Sequence, residues 1–266
     1  METRCVATAA DSRYFPALIA LLRSLARTNP QVPLVVFENG LTKRQKRKAG
    51  AFAELISREP CLKIKGTGKF SYIGDSTLLK LDAVTLSFDK VLFLDADMVV
   101  LDKLDELFDV PCGMVGAVPE VNVVKNMFRV QHRKMLREKI DIDWDSPGFN
   151  AGLFSLRPAE WAGLGKKVKA LVSEFGEDVF SKTKDQQLLN ILFSGKIKPF
   201  HRRYNFSPFY DKAEGYKPAV VHYLSGCKPW HFEYPEGHYY REFRSSLSVA
   251  DCPGIVLQDI WRKIRK

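Results

Sequence analysis

The chain has 266 residues, of which 45% are hydrophobic, and it carries a formal net charge of +10. That length can hold one large domain or two small ones, and the charge indicates an anionic ligand or surface without choosing between nucleic acid, a phosphorylated metabolite and a membrane. The five cysteines are scattered without CxxC spacing, which argues against a disulfide framework and a structural zinc site. With no signal-peptide pattern and no apolar run of membrane-spanning length, we expect a soluble, cytoplasmic protein.

Strand-like and helix-like segments alternate along the first half of the chain. Buried strands are predicted at residues 4–10, 33–40, 90–95 and 113–118, and helices at residues 13–28, 41–56 and 76–88. This βαβα opening predicts an α/β fold with a single mixed, mostly parallel sheet and helices on both faces. No linker or repeat separates the later segments, which we expect to complete the same domain, and ligands should gather where the parallel strands end.

Two carboxylates one residue apart, Asp95 and Asp97, end the buried run KVLFLD. Unpaired burial would be costly for both, so a partner must neutralise them. Three interpretations stay open: a divalent-metal site for a nucleotide diphosphate, the nucleophile and acid pair of a DxD phosphatase, and a solvated turn. The preceding βαβα unit favours the metal site, because a phosphatase of that kind usually carries its aspartates on the first strand. A metal needs a third ligand, and His222 in AVVHYL is the candidate.

Five motifs, taken in order, resemble glycosyltransferase family 8, the group that contains glycogenin and bacterial lipo-oligosaccharide galactosyltransferases. They are LLKLDAVTLSFDKVLFLDADMVVLDKLDELFD, FNAGLFSL, DQQLLN, YNFSP and VHYLSGCKPW, and the match runs from about Val6 to Trp230. The resemblance implies a GT-A fold, a UDP-sugar donor, Mn²⁺ or alternatively Mg²⁺, and hexose transfer with retention of anomeric configuration. We accordingly expect one domain over residues 1–240, with a nucleotide-binding half (1–118) and an acceptor- and metal-binding half (119–240).

The resemblance assigns metal binding to Asp95, Asp97 and His222, and it also places Asp95 near the ribose of the donor. Lys228 in GCKPW matches a lysine that contacts the diphosphate. The alternatives are an exposed loop lysine for Lys228 and a core histidine without a ligand for His222. With a metal and a diphosphate bound, the two carboxylates would be compensated, and the metal would act as a Lewis acid toward the departing UDP.

On the donor side, the resemblance implies that Ala9, Asp11 and Tyr14 in AADSRY contact uridine, with Tyr14 stacked on the uracil. The loop departs from the acidic or asparagine-containing pair that is usual in the family. A helix N-cap is the alternative role for Asp11. Lys80 matches a cation that contacts the donor, and its alternative is an ordinary lysine on a helix surface.

The donor sugar is expected to face Asn150, Ala151 and Gly152 of FNAGLF, where small residues let the backbone approach closely. Ser225 and Gly226 fall in the loop that the resemblance places against phosphate. Serine stands there in the position where the family usually has glycine.

Asp185 and Gln186 match the pair nearest the anomeric carbon, and Asp185 is expected to hold sugar hydroxyls. An amide oxygen is a poor nucleophile, so Gln186 favours front-face transfer in which the leaving phosphate oxygen assists deprotonation of the acceptor. Catalytic roles are therefore expected for Gln186, Asp185 and Lys228. The N-cap of the following helix is the alternative role for Asp185, and it is compatible with the first.

The C-terminal tail, residues 241–266, ends in GIVLQDIWRKIRK, an amphipathic basic pattern that suits either a terminal core helix or peripheral contact with an anionic membrane. The basic run KRQKRK is interpreted as a solvated helix face, and nucleic acid is not an expected partner. The expected donor is UDP-glucose or UDP-galactose, and the acceptor is a saccharide, a lipid-linked saccharide or a protein. The competing hypotheses are a catalytically weak or inactive relative that binds sugar nucleotides and, more remotely, the phosphatase.

Overall fold

The computed structural model describes residues 2–65, 74–212, 215–224, 226–231, 234, 237 and 239–247. Two predictions lie outside the described residues. One is the amphipathic basic helix at residues 254–266, and the other is the phosphate-facing role of Ser225.

Nine strands form within the described residues. They are β1 (Arg4–Asp11), β2 (Leu34–Asn39), β3 (Glu54–Ser57), β4 (Lys90–Leu94), β5 (Met98–Val100), β6 (Val115–Val123), β7 (Pro147–Leu156), β8 (Ile197–Pro199) and β9 (Val220–His222). Seven of them make the main sheet, in the order β3-β2-β1-β4-β7-β6-β8, and β5 pairs with β9 in a separate sheet. In the main sheet β7 runs antiparallel to β4 and β6, and the other four pairings are parallel. The predicted α/β class with a mixed, mostly parallel sheet is confirmed.

The described helices are α1 (Phe15–Thr28), α2 (Lys43–Ala49), α3 (Val130–Lys139), α4 (Leu164–Phe175), α5 (Asp185–Leu192) and α6 (Tyr240–Ser245). The second of these is shorter than the predicted helix over residues 41–56. A capping box between Thr42 and Gln45 starts it, and it ends at Ala49 with Gly50 as the C-cap. The rest of the predicted helix forms β3, because residues 54–57 pair with the open edge of β2. The helix predicted over 76–88 is a 3₁₀ segment, Asp75–Thr85.

The sheet separates two apolar cores. On one side α1 packs with nine buried residues, and Leu18, Ile19 and Leu21 among them are fully buried. Each such side chain contributes roughly 1.5–3 kcal/mol when it leaves water. The second core contains residues of the 3₁₀ segment, α4 and α5, on the opposite side of the same strands. Helices therefore cover both faces, as predicted. No helix in the described part of the chain is long and apolar enough to cross a membrane.

The small β5–β9 sheet positions the acidic motif. Strand β4 ends at Leu94 and β5 begins at Met98, so Asp95 and Asp97 lie in the short connection between the two sheets. Met98 is paired with His222 in the antiparallel register of β5 and β9. Two segments more than a hundred residues apart in sequence are thereby fixed side by side.

Candidate active site

Two carboxylates and an imidazole come together at the end of β4. One ligand atom each from Asp95, Asp97 and His222 lies within 4.8 Å of the other two, and the His222 Nε2 atom is 3.3 Å from Asp97 Oδ1. Carboxylate oxygens suit Mg²⁺ and Mn²⁺, and imidazole suits first-row transition ions, so this mixed set fits Mn²⁺. The structure thus brings together the three residues that the sequence analysis assigned to a metal.

A second polar residue orients the imidazole. His222 is buried, and its Nδ1 lies 2.8 Å from the amide oxygen of Asn205. Because that oxygen can only accept, the imidazole donates to it through Nδ1, and Nε2 faces Asp97 and the metal position. Such a partner for the second ring nitrogen is typical of histidine metal ligands.

Gly152 leaves the space in which the cluster fits. A Cβ atom at this position would lie 2.4 Å from His222 Cε1, 2.8 Å from Asn150 Oδ1 and 2.9 Å from Asp95 Oδ2. Contacts that short do not occur, so any side chain here would displace the imidazole or the carboxylate. The glycine of FNAGLF is therefore required by the cluster itself.

Lys228 lies beside the cluster. Its Nζ is 2.6 Å from Asp97 Oδ2 and donates to the Tyr223 carbonyl oxygen at 2.7 Å. Burial alone would raise the pKa of Asp97, but the attraction of Lys228 and the His222 ring outweighs it and holds that pKa far below its usual range. Since Lys228 is only 6% exposed, the exposed-loop alternative does not describe it.

Lys80 is a fully buried cation between two carboxylates. Its Nζ lies 3.0 Å from Asp95 Oδ1 and 2.5 Å from Asp185 Oδ2, and it donates to the Ala151 carbonyl oxygen at 3.0 Å. Burial would lower the pKa of Lys80, but the two carboxylates outweigh it and raise that pKa. The helix-surface alternative for Lys80 is excluded, because its side chain is 1% exposed.

The charges of the cluster do not balance. Three carboxylates, on Asp95, Asp97 and Asp185, face the two ammonium groups of Lys80 and Lys228. Burial raises the pKa of Asp95, and although Lys80 opposes this, repulsion from Asp97 adds to it. A divalent cation at this point would supply the missing positive charge.

Amide side chains connect the cluster to α5. Asn150 Oδ1 accepts from the Gly152 N–H at 3.0 Å and from Asn205 Nδ2 at 3.3 Å, and Asn150 Nδ2 donates to Gln186 Oε1 at 3.3 Å. Asp185 is the first residue of α5 and the N-cap is Lys184, so the alternative role of Asp185 as N-cap does not hold. Its carboxylate binds Lys80 instead.

The loop after β1 forms another part of the site. Asp11 caps the 3₁₀ turn Ser12–Tyr14 by accepting from the Arg13 N–H at 2.9 Å, as the N-cap alternative predicts. Burial would raise the pKa of Asp11, but the Arg13 guanidinium and Ser76 hydroxyl outweigh it and lower that pKa. Tyr14 packs edge-on against Trp230 with ring centroids 5.5 Å apart.

These groups line one cavity of about 1000 Å³. Of the residues predicted from the sequence, the cavity wall includes Ala9, Asp11, Tyr14, Lys80, Asp95, Asp97, Asn150, Gly152, Asp185, Gln186, His222, Gly226 and Lys228. Ala151 differs from the prediction. Successive residues of a strand point to opposite faces, so Asn150 and Gly152 face the cavity while Ala151 is buried in the second core. Ala151 takes part only through its carbonyl oxygen.

Sequence reasoning missed Asn205 and Tyr210. Asn205 lies in YNFSP, one of the five motifs, so a signal for it was present. Its contact with His222 could not be read from spacing, because the pairing of β9 brings it about. Tyr210 lies outside all five motifs.

The chain belongs to a known family. The family described as glycosyl transferase family 8 matches residues 5–233. Among curated proteins, the lipopolysaccharide 1,2-glucosyltransferase of Escherichia coli is 31% identical over 170 residues, which are 59% of this chain and 49% of that protein. Galactinol synthase 5 of Arabidopsis thaliana is 26% identical over 260 residues, 88% of this chain and 75% of that protein. The chain spans about half the length of the first of these relatives.

Solved structures define the fold. The galactosyltransferase LgtC, in complex with donor and acceptor sugar analogues, aligns with a TM-score of 0.71 and 23% identity, over 91% of this chain and 94% of that chain. The apo form of the glycosyltransferase GlyE from Streptococcus pneumoniae aligns with a TM-score of 0.66 and 21% identity, over 100% of this chain and 64% of that chain. The predicted GT-A fold is confirmed, and so is the family resemblance.

Proposed function

We propose that the protein is a retaining glycosyltransferase that moves a hexose from a UDP-sugar to an acceptor hydroxyl with the help of Mn²⁺. The observation that carries the proposal is the cluster of Asp95, Asp97 and His222 at the end of a buried strand, in a chain of glycosyl transferase family 8. UDP-glucose or UDP-galactose is the proposed donor, in keeping with glucosyl- and galactosyltransferases among the similar proteins. The proposed acceptor is a saccharide, a lipid-linked saccharide or a protein.

Metal binding is proposed for Asp95, Asp97 and His222. Their carboxylate oxygens and imidazole nitrogen suit Mn²⁺, and the surrounding cluster has more carboxylates than ammonium groups. When bound, such an ion would supply positive charge to the diphosphate of the donor. Lys228 would add a second positive charge where the leaving UDP becomes negative, since its ammonium lies within 2.6 Å of the same cluster. Lys80 would act as a positioning residue that holds Asp95 and Asp185 in place.

The sugar is proposed to lie against Asn150, Gly152, Asp185 and Gln186, and the uridine against the loop after β1. The amide of Gln186 is tied to Asn150, and an amide oxygen is a weak nucleophile. We therefore assign front-face transfer. The acceptor oxygen forms its bond to the anomeric carbon while the bond from that carbon to the phosphate oxygen breaks, and the acceptor proton passes to the leaving diphosphate.

A panel of nucleotide sugars tests the donor and the metal. With Mn²⁺ and no acceptor, the protein should release UDP from UDP-glucose or UDP-galactose, and chelator should stop the release. Asp97→Asn and His222→Ala should each lose about 10²-fold, as expected for one lost electrostatic stabiliser. Asp109→Asn, at an aspartate whose side chain is 87% exposed, is the matched control and should keep full activity. Unchanged release in chelator would refute the metal assignment.

Product stereochemistry tests the reaction course. An α-linked donor should give an α-linked product, and no covalent sugar adduct should accumulate. The anomeric coupling constant in the NMR spectrum of the product decides the first point, and intact-protein mass spectrometry decides the second. A β-linked product would exclude retention, and an adduct on Asp185 would replace front-face transfer with double displacement.

A further inference from the structure

A chain of hydrogen bonds runs from the proposed metal site to the sugar side of the cavity. His222 Nδ1 lies 2.8 Å from Asn205 Oδ1, and Asn205 Nδ2 lies 3.3 Å from Asn150 Oδ1. At the far end, Asn150 Nδ2 lies 3.3 Å from Gln186 Oε1. His222 is a proposed metal ligand, and Gln186 lines the cavity. Asn205 lies between these two ends of the chain and is not part of the cavity wall.

A single backbone N–H fixes the direction of this chain. The Gly152 N–H can only donate, and Asn150 Oδ1 accepts from it at 3.0 Å. That end of the Asn150 side chain is therefore the carbonyl oxygen, so the Asn205 atom beside it is the amide nitrogen. It follows that Asn205 turns its oxygen toward His222, and that the imidazole donates to this oxygen through Nδ1.

The same reasoning fixes the orientation of the Gln186 amide. Because Asn150 Nδ2 is a donor, the Gln186 atom beside it is the carbonyl oxygen Oε1. The main chain of Gln186 is held as well, since its carbonyl accepts from Asn190 Nδ2 at 2.8 Å and its N–H donates to the Thr183 carbonyl at 3.0 Å. Within the described residues, no acceptor takes a hydrogen bond from Gln186 Nε2. The donor end of this amide is left for a ligand in the cavity.

Most of the chain is shielded from water. Asn205 is fully buried, His222 is 1% exposed and Asn150 is 7% exposed. If one of these amides turned over, a buried donor would meet a donor and a buried acceptor would meet an acceptor, which is costly where water cannot replace the lost partner. The orientation of Gln186 is therefore linked to the residue that orients a metal ligand.

We propose that Asn205 is a positioning residue with two functions. Its oxygen orients His222, and its amide nitrogen acts through Asn150 to turn the Gln186 amide so that Nε2 faces the donor sugar. Gln186 then offers the sugar a hydrogen-bond donor and not a lone pair, which suits the oxygen of a sugar hydroxyl. The inference rests on the proposed function, because it takes the sugar to lie against Gln186.

Asn205→Asp separates the two functions. A carboxylate oxygen still accepts from His222 Nδ1, but it cannot donate to Asn150 Oδ1. In calorimetric titrations, Asn205→Asp should bind Mn²⁺ at least as tightly as the wild type, whereas Asn205→Ala, which lacks the acceptor, should bind about 10-fold more weakly. With Mn²⁺ and saturating UDP-glucose or UDP-galactose, Asn205→Asp should nevertheless have a kcat for UDP release at least about 5-fold lower, the factor expected for one lost hydrogen bond.

Asn29 provides the matched control. It is a buried asparagine that does not line the cavity. Its Oδ1 accepts from the Leu104 N–H at 3.0 Å, and its Nδ2 donates to the Asp102 carbonyl at 3.2 Å. Asn29→Asp thus keeps a buried acceptor and removes a buried donor, as Asn205→Asp does. It should retain the kcat and the Mn²⁺ affinity of the wild type.

A double-mutant cycle determines whether Asn205 acts through Gln186. Gln186→Ala should lower kcat, and adding Asn205→Asp to it should change kcat by less than about twofold. If the two losses multiply, the new charge acts on the metal site directly and the inference is overturned. It is equally overturned if Asn205→Asp has the kcat of the wild type, or if it binds Mn²⁺ as weakly as Asn205→Ala.

NMR tests the chain without turnover. The side-chain NH2 signals of Gln186, assigned by their absence in Gln186→Ala, should shift in Asn205→Asp and stay in place in Asn29→Asp. Unshifted signals in Asn205→Asp would overturn the inference whether or not a UDP-sugar is cleaved. If the wild-type protein neither binds UDP nor cleaves any UDP-sugar, the proposed function itself is overturned.

Discussion

Removal of the buried cation Lys80 should destabilise the protein strongly. In Lys80→Met the side-chain volume is kept, but Asp95 and Asp185 lose the ammonium at 3.0 and 2.5 Å, and the Ala151 carbonyl loses its donor. Breaking a buried ion pair from one side costs roughly 3–5 kcal/mol. Because the Asp95 side chain is 29% exposed, we expect the lower end, about 3 kcal/mol. That corresponds to a fall in Tm of roughly 6–12 °C.

Urea unfolding followed by tryptophan fluorescence measures this free energy of unfolding. Burial already raises the pKa of Asp95, and without Lys80 it should rise further. A carboxyl group whose pKa is raised in the folded state destabilises the protein while it is ionised, and this destabilisation is relieved as the group is protonated. The loss in free energy of unfolding caused by Lys80→Met should therefore shrink as the pH falls from 7 toward 5. Mn²⁺ should also raise the Tm of the variant, because Asp95 is one of the proposed metal ligands.

The matched control is Lys134→Met, which removes a lysine whose side chain is 90% exposed and lies 4.0 Å from Glu138. An exposed pair of this kind contributes at most about 1 kcal/mol. A loss below about 1 kcal/mol for Lys80→Met at pH 7, or a deficit that grows as the pH falls, would refute the view that Lys80 compensates buried carboxylates.

Two further predictions follow from the same packing. Gly152→Ala should weaken Mn²⁺ binding at least about 10-fold in a calorimetric titration, because the added Cβ would meet the His222 ring. Gly165→Ala, where no atom lies within 4 Å of the added Cβ, is the control and should bind Mn²⁺ like the wild type. Equal affinities of the two variants for Mn²⁺ would contradict this prediction. Burial raises the pKa of the Cys5 thiol to about 12. N-ethylmaleimide at pH 7.5 should therefore alkylate the exposed Cys112 and leave Cys5 unmodified until the protein is unfolded, as measured by peptide mass spectrometry. Rapid labelling of Cys5 in the folded protein would contradict its burial.

The hydrophobic pattern of the sequence correctly predicted those strands and helices whose conformation does not depend on pairing with distant segments. Strand β1 and helix α1 have uninterrupted apolar spacing, and both form nearly where the pattern indicates. Strand β3 was missed because its four residues gain their conformation from pairing with β2, not from their own sequence. The β5–β9 pairing was missed for the same reason, since it joins segments far apart in the chain.

The same distinction holds for the candidate site, where the proposed metal ligands could be predicted from the sequence and their partners could not. The residue pattern and the family resemblance both singled out Asp95, Asp97 and His222, which the structure places together. The partners that fix them, such as Lys80 between two carboxylates and Asn205 on the imidazole, depend on distances between distant segments. The division of residues 1–240 into two halves, the cytoplasmic location and the membrane contact of the C-terminal tail stay predictions.

Metal-dependent binding of UDP is the decisive test of the proposed active site. In the proposed site the diphosphate would lie on an ion held by Asp95, Asp97 and His222, so calorimetric titration of UDP should show binding in Mn²⁺ that weakens at least about 10-fold in chelator. Asp97→Asn should bind UDP in Mn²⁺ as weakly as the wild type does in chelator, with an unchanged circular dichroism spectrum. Equal UDP affinity in Mn²⁺ and in chelator, or full affinity in Asp97→Asn, would contradict the account.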